Sequence, residues 1–155
     1  MRVFRIAAAR FARSRSEAFS GQGALEASAR WHTAGRAVVY AAESLSLAAL
    51  EILVHLKQTT DLQPFRFFVA EIPDKFILIP SSYPARWQSD YQVSRTFGDA
   101  WLAAGDRPVL RVPSVVTQGE WNFLLNPLHR DFSLKWVIAG PSRYTFYHRL
   151  LISTT

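Results

Sequence analysis

Glu51 stands where a carboxylate is least at home. Helical spacing places Leu47, Ala48, Val54 and His55 three and four positions from it, so its stripe is mostly apolar. Burying an unpaired charge is costly, so a Glu in this setting is paired in a structural salt bridge, protonated, or facing a cleft. Arg30, next to Trp31 and close to an expected strand, offers a guanidinium fork that matches phosphate oxygens; its ordinary alternative is a solvated surface cation. Tyr40 closes an apolar run with a flat ring for stacking and a polar tip, or else is a core tyrosine with its hydroxyl satisfied. Ser44 and Ser114 lack the G-x-S-x-G elbow, which argues against a serine hydrolase. His32, His55, His129 and His148 have no metal-binding spacing and the chain has no cysteine, so no metal site is expected. No G-x-G-x-x-G or phosphate-loop motif occurs, and a nucleotide bound here is not held by a glycine cradle.

The elements that would carry these residues follow from local pattern. Val3, Phe4 and Ile6 predict a first strand, and the small, polar stretch 13–23 a mobile, exposed loop. The turn signal Thr33-Ala34-Gly35-Arg36 precedes a buried strand over 37–41, which would set Arg30 and Tyr40 on neighbouring strands. Ser44 is the expected N-cap of a helix over 45–57 that carries Glu51. Further strands are expected over 65–72, 76–79, 109–116 (broken at Pro113), 132–138 and 144–147, with a second helix over 94–104 stopped by Gly105. Seven or eight strands with two or three helices, not alternating regularly, predict a compact α+β fold in one domain spanning 1–155.

Composition narrows the class. Of the 155 residues 49% are hydrophobic, 14% aromatic and 19% charged, a balance that excludes intrinsic disorder. The longest apolar run, 45–56, is interrupted by Ser46, Glu51 and His55 and falls short of the roughly 20 residues a membrane helix needs. The absence of cysteine and of an apolar leader-like start is what a cytoplasmic protein is expected to have. The net charge is +6, and residues 1–36 hold seven Arg against Glu17 and Glu26, a local +5 that suits an anionic partner.

The order of the segments adds what no single residue gives. Arg30-Trp31-His32-Thr33 is followed by Ala37-Val38-Val39-Tyr40-Ala41-Ala42-Glu43-Ser44 and Leu50-Glu51-Ile52-Leu53-Val54-His55-Leu56. Then come Gly98-Asp99-Ala100-Trp101-Leu102, Leu110-Arg111-Val112-Pro113-Ser114 and Asn122-Phe123-Leu124-Leu125-Asn126-Pro127-Leu128-His129. This series resembles the RES domain family over nearly the whole chain. It departs in having Ala29 where relatives commonly have Gly, and Phe146-Tyr147-His148-Arg149 where they often have a Phe-Asp-Pro-Arg-like segment.

The resemblance implies a mostly antiparallel β core with flanking helices, like the ADP-ribosyltransferase fold. It implies a toxin of a toxin–antitoxin pair that depletes NAD by cleaving the nicotinamide–ribose bond, with water or inorganic phosphate as acceptor. NAD is then a substrate, and no cofactor is expected. Carried over by position, Glu51, Arg30 and Tyr40 are the catalytic residues, and Arg30, Tyr40, Ser114 and Asn126 the NAD-binding ones. The implied partner is an antitoxin with a helix-turn-helix region, through which alone the toxin would meet DNA, and the basic stretch 10–23 is a candidate contact for it. Two other readings stay open: transfer of ADP-ribose to a protein or nucleic acid, and a basic RNA-binding or RNA-cleaving toxin.

Overall fold

The computed structural model describes residues 1–56 and 64–151. Among the described residues seven strands form one sheet: β1 (Arg2–Ala8), β2 (Val39–Ala42), β3 (Phe65–Glu71), β4 (Ile77–Leu78), β5 (Val109–Pro113), β6 (Trp121–Leu125) and β7 (Val137–Tyr144). Their spatial order is β4-β5-β6-β2-β1-β3-β7, and every pairing is antiparallel except β4 with β5. The helices are α1 (Arg15–Ala18), α2 (Gln22–Glu26), α3 (Leu45–Leu53) and α4 (Tyr91–Ala104). The fold is α+β and mostly antiparallel, as the sequence predicts.

Side-chain alternation sorts the sheet into two faces. Val3, Val39, Ala41, Phe123 and Leu125 point to one face, where they join Phe19, Phe68 and Trp136 in the largest core cluster. On the other face, Ile6 and Ala42 are covered by Leu47, Ala48 and Ala49 of α3, while Leu110, Val112 and Leu124 are covered by Trp101 of α4 and by Trp31. Two helices thus cover different parts of one face.

The sheet is opened in its middle. β1 pairs with β3 over seven residues and β2 with β6 over four, yet β1 and β2 share a single pair, Phe4↔Ala42. Arg5 bridges the opened strands by side chain: its Nη1 donates to the Tyr40 carbonyl at 2.9 Å and its Nε to the Ala18 carbonyl at 2.8 Å. Burial lowers the Arg5 pKa to about 10, which leaves it charged at neutral pH.

Several expected elements shift, each for a local reason. The stretch 13–23 is not a loop: Ser14 caps α1 by accepting from Glu17 N at 3.1 Å, the S-x-x-E signature of a helix start. α3 begins at Ser44 as expected, with Oγ accepting from Leu47 N at 3.0 Å, and ends at Leu53; Lys57 lies outside the described residues. α4 starts three residues before the expected position because Asp90 accepts from the backbone N–H of both Gln92 and Val93. The strand expected over 132–138 is instead a 3-10 turn, Leu134–Trp136, leading into β7. β7 runs through Pro141 because it lies at the sheet edge, where a missing donor is tolerated, and irregular register with β3 absorbs the mismatch.

Candidate active site

The opening between β1 and β2 is the floor of a cleft of about 920 Å³, a size suited to a small organic ligand. Phe4, Arg5 and Ile6 line it from β1, and Tyr40, Ala41 and Ala42 from β2. Ala48, Glu51, Ile52 and His55 form one wall, the i, i+3, i+4, i+7 face of α3 and the turn that follows it. Ala48 leaves room beside Glu51. Opposite in sequence pattern but built the same way, Tyr91 and Arg95 are contributed by α4, and Ala29, Arg30 and Trp31 by the loop it supports.

Glu51 is paired, but by neutral donors. Asn122 Nδ2 donates to its Oε1 at 2.6 Å and Ser114 Oγ to the same oxygen at 2.9 Å. No cation lies within ion-pair distance of it among the described residues. The structural salt bridge, one of the alternatives open from the sequence, is therefore absent there; Oε1 takes both hydrogen bonds, and the carboxylate lines the cleft. One turn on, His55 Nδ1 donates to the Glu51 carbonyl at 2.6 Å, which places the ring proton on that nitrogen.

Ser114 falls just past β5, as the Pro113 break predicts, but its hydroxyl is fully engaged. Besides donating to Glu51, it accepts from Val116 N at 3.0 Å and from Thr117 N at 3.1 Å, and the residue is only 5% exposed. Its one hydroxyl proton is directed at the carboxylate. Asn122, not singled out as a site residue from the sequence, shares that task. The signal was strand alternation, since Asn122 falls on the same face of β6 as Leu124, the face α3 and α4 cover.

Arg30 is corrected in its setting: it lies in a bend, not on a strand next to Tyr40. Its Nη1 donates to the Trp87 and Gln88 carbonyls at 3.2 and 2.9 Å, and its Nη2 to the Tyr91 hydroxyl at 3.3 Å. The loop owes its shape to one face of α4, namely Tyr91, Ser94, Arg95 and Gly98. Ser94 Oγ donates to the Arg30 carbonyl at 2.6 Å and Arg95 Nε to the Ala29 carbonyl at 2.7 Å. Gly98 lets the Trp31 carbonyl approach so closely that a Cβ there would stand 1.8 Å from its oxygen.

Tyr40 lines the cleft, and its hydroxyl is engaged by His32 and Trp31. His32, 2% exposed, directs Nε2 at two acceptors, the carbonyls of Ala24 (3.2 Å) and Ala27 (3.0 Å), so that nitrogen carries the proton. Nδ1 is then an acceptor and takes the Tyr40 hydroxyl at 2.9 Å, while Trp31 N–H donates to the phenol oxygen at 3.3 Å. Burial pushes the Tyr40 phenol far above its usual pKa, which keeps it neutral and removes it as a base. Tyr40→Phe keeps the ring but strands both partners, and is expected to destabilise the fold by about 1–3 kcal/mol in denaturant unfolding. A change below about 0.3 kcal/mol, well under the range for such a loss, would show that the hydrogen bonds are not made.

Asn126 does not reach the cleft. Its Oδ1 accepts from Leu128 N at 3.0 Å and its own N–H donates to Pro108 at 2.8 Å, the turn role that Asn-Pro ordinarily has. Sequence reasoning also missed Arg5, Tyr91 and Arg95. For the last two, the i, i+4 spacing on one helix was the available sign. No group of three or more His, Asp or Glu that could hold a metal occurs among the described residues, and no helix among them is long and apolar enough to cross a membrane.

Comparison with known proteins places this geometry in a family. The model of the RES domain matches residues 2–146. A protein named Toxin Res from Yersinia enterocolitica is 36% identical over 154 residues, covering 97% of this chain and 99% of its own length. Another, named Prs ADP-ribosylating toxin, from a Sphingobium species, is 38% identical over 120 residues, 72% of this chain and 74% of its own. Among solved structures, a chain of the M. tuberculosis MbcT-MbcA toxin–antitoxin complex shares the fold at a TM-score of 0.69, with 15% identity over 93% of this chain and 84% of that one. With the family match running from the first strand past the last, and a relative aligned end to end, the chain belongs to the RES domain family.

Proposed function

We propose that the chain is the toxin of a toxin–antitoxin pair and that its cleft binds NAD and cleaves the nicotinamide–ribose bond. The observation that carries the reading is the Glu51 carboxylate, held by Ser114 and Asn122 on the wall of a cleft that also presents Arg30 and Tyr40. As neutral nicotinamide leaves, positive charge builds on the ribose carbon and ring oxygen, a transition state comparable to that of glycoside hydrolysis. A preoriented carboxylate stabilises that charge without having to reorganise. Its less engaged oxygen accepts from the ribose hydroxyls and orients the sugar. Tyr40 offers its ring to the nicotinamide or ribose, and Arg30 brings positive charge to the pyrophosphate, so remote binding energy positions the reacting carbon.

The acceptor is water or inorganic phosphate. Transfer of ADP-ribose to a macromolecule is the second reading, favoured by the name of the Sphingobium relative. Incubating the purified protein with labelled NAD, with and without phosphate, separates these outcomes by mass. Free nicotinamide with a small ribosyl product supports NAD degradation, and label on a protein or nucleic acid supports transfer. Intact NAD under all conditions contradicts both.

The reading of the basic first third as an RNA surface loses support from how its arginines are used. Arg2 pairs with Glu71, Arg13 with Glu17 and Arg36 with Asp99. Arg5, Arg15 and Arg30 donate to backbone carbonyls. Six of the seven arginines are thus paired or hydrogen-bonded within the protein. The antitoxin, of the helix-turn-helix type, remains the proposed partner, and the solved toxin–antitoxin complex of the same fold supports an interaction of that kind.

A further inference from the structure

α4 brings a second guanidinium to the cleft beside Arg30. Both lie against the Tyr91 ring: Arg30 Cζ is 4.5 Å from its centroid and Arg95 Cζ 5.1 Å. Neither arginine forms an ion pair with a carboxylate among the described residues, since Asp90 pairs with Arg86 and Asp99 with Arg36. Two positive charges therefore meet on one wall without an internal counterion among the described residues.

Their availability differs. A guanidinium has five N–H donors. Arg30 commits three of them, to Trp87, Gln88 and the Tyr91 hydroxyl, which leaves two. Among the described residues Arg95 commits one, Nε to Ala29, which leaves the four on Nη1 and Nη2, the end-on fork that grips two phosphate oxygens at once. We infer that Arg95 is the principal phosphate ligand of the cleft. With Arg30 it forms a clamp for a diphosphate bridge that selects dinucleotides and nucleoside diphosphates over mononucleotides. The inference rests on the NAD reading of this cleft and names the residue that makes the substrate a dinucleotide.

The test compares ADP with AMP as ligands of the whole protein by calorimetric titration, alongside NAD turnover. The wild type is expected to bind ADP more tightly than AMP, and Arg95→Gln to weaken ADP by about 10–100-fold, the range for a lost charge-assisted bidentate contact, and AMP much less. Arg95→Lys keeps a point charge without the fork and is expected to fall in between. Ser94→Ala supplies the comparison: it removes the hydrogen bond to the Arg30 carbonyl but leaves the Arg95 guanidinium and its Ala29 contact in place, so it is expected to weaken ADP less than Arg95→Gln does. An ADP affinity unchanged in Arg95→Gln, an equal loss for ADP and AMP, or no ADP preference in the wild type overturns the clamp. A wild type that binds ADP in this way but leaves NAD intact upholds the clamp and overturns the NAD-cleavage reading.

Discussion

Glu51→Gln is expected to lower NAD turnover by about 10²–10³ while the protein stays folded, the usual loss when one preoriented electrostatic contact to a transition state is removed. The substitution isolates charge from shape. The Gln carbonyl oxygen can still accept from Asn122 Nδ2 and Ser114 Oγ, which in the wild type donate to a single oxygen, Oε1. Nearly the same atoms are placed in the same positions, and the missing element is the negative charge facing the developing cation. Stability is therefore expected to change by no more than about 1 kcal/mol. The paired measurement is the rate of nicotinamide release together with the unfolding midpoint. Full turnover in a folded Glu51→Gln protein contradicts the assignment.

Gly98→Ala is expected to be the most damaging Gly→Ala substitution for the fold. On helix propensity alone the change would stabilise by about 1 kcal/mol. Here the added Cβ would stand 1.8 Å from the Trp31 carbonyl oxygen and 2.8 Å from its carbon, both backbone atoms that no side-chain rotation can move. Overpacking of this kind outweighs propensity, with an expected cost of about 3 kcal/mol or more, or roughly 6–12 °C in the unfolding midpoint for a chain of this size. The clash also separates α4 from the loop that carries Arg30, so nucleotide binding is expected to weaken with stability. Gly23→Ala is the matched control: in α2 an added Cβ meets nothing within 4 Å. Equal melting of the two variants would contradict the close approach.

The sequence made some of this legible for definable reasons. Ser44 and Gly105 are strong punctuation, and they mark the start of α3 and the end of α4. Glu51 stood out because a carboxylate in an apolar stripe needs a partner. What pattern does not carry is the identity of that partner, since Ser114 and Asn122 are 63 and 71 residues away along the chain. The same limit hid the loop–α4 contacts, made between residues about 65 apart, and with them the place of Arg95 in the cleft lining. Tyr40 was seen as a residue with two ends. What its hydroxyl meets depends on His32 and its two carbonyl partners, a tertiary arrangement. Asn126 admitted two readings, a ligand by motif position and a turn by its Asn-Pro pair, and its Oδ1 makes the turn contact with Leu128 N.

The most direct test of the account is a crystal structure of Glu51→Gln soaked with NAD, in which slow turnover keeps the substrate intact. The account predicts the nicotinamide ribose against residue 51, with its hydroxyls within hydrogen-bond reach of that side chain, the ring against Tyr40, and the pyrophosphate between Arg30 and Arg95. NAD bound elsewhere on the protein, or lying in the cleft with its ribose turned away from residue 51, would contradict it.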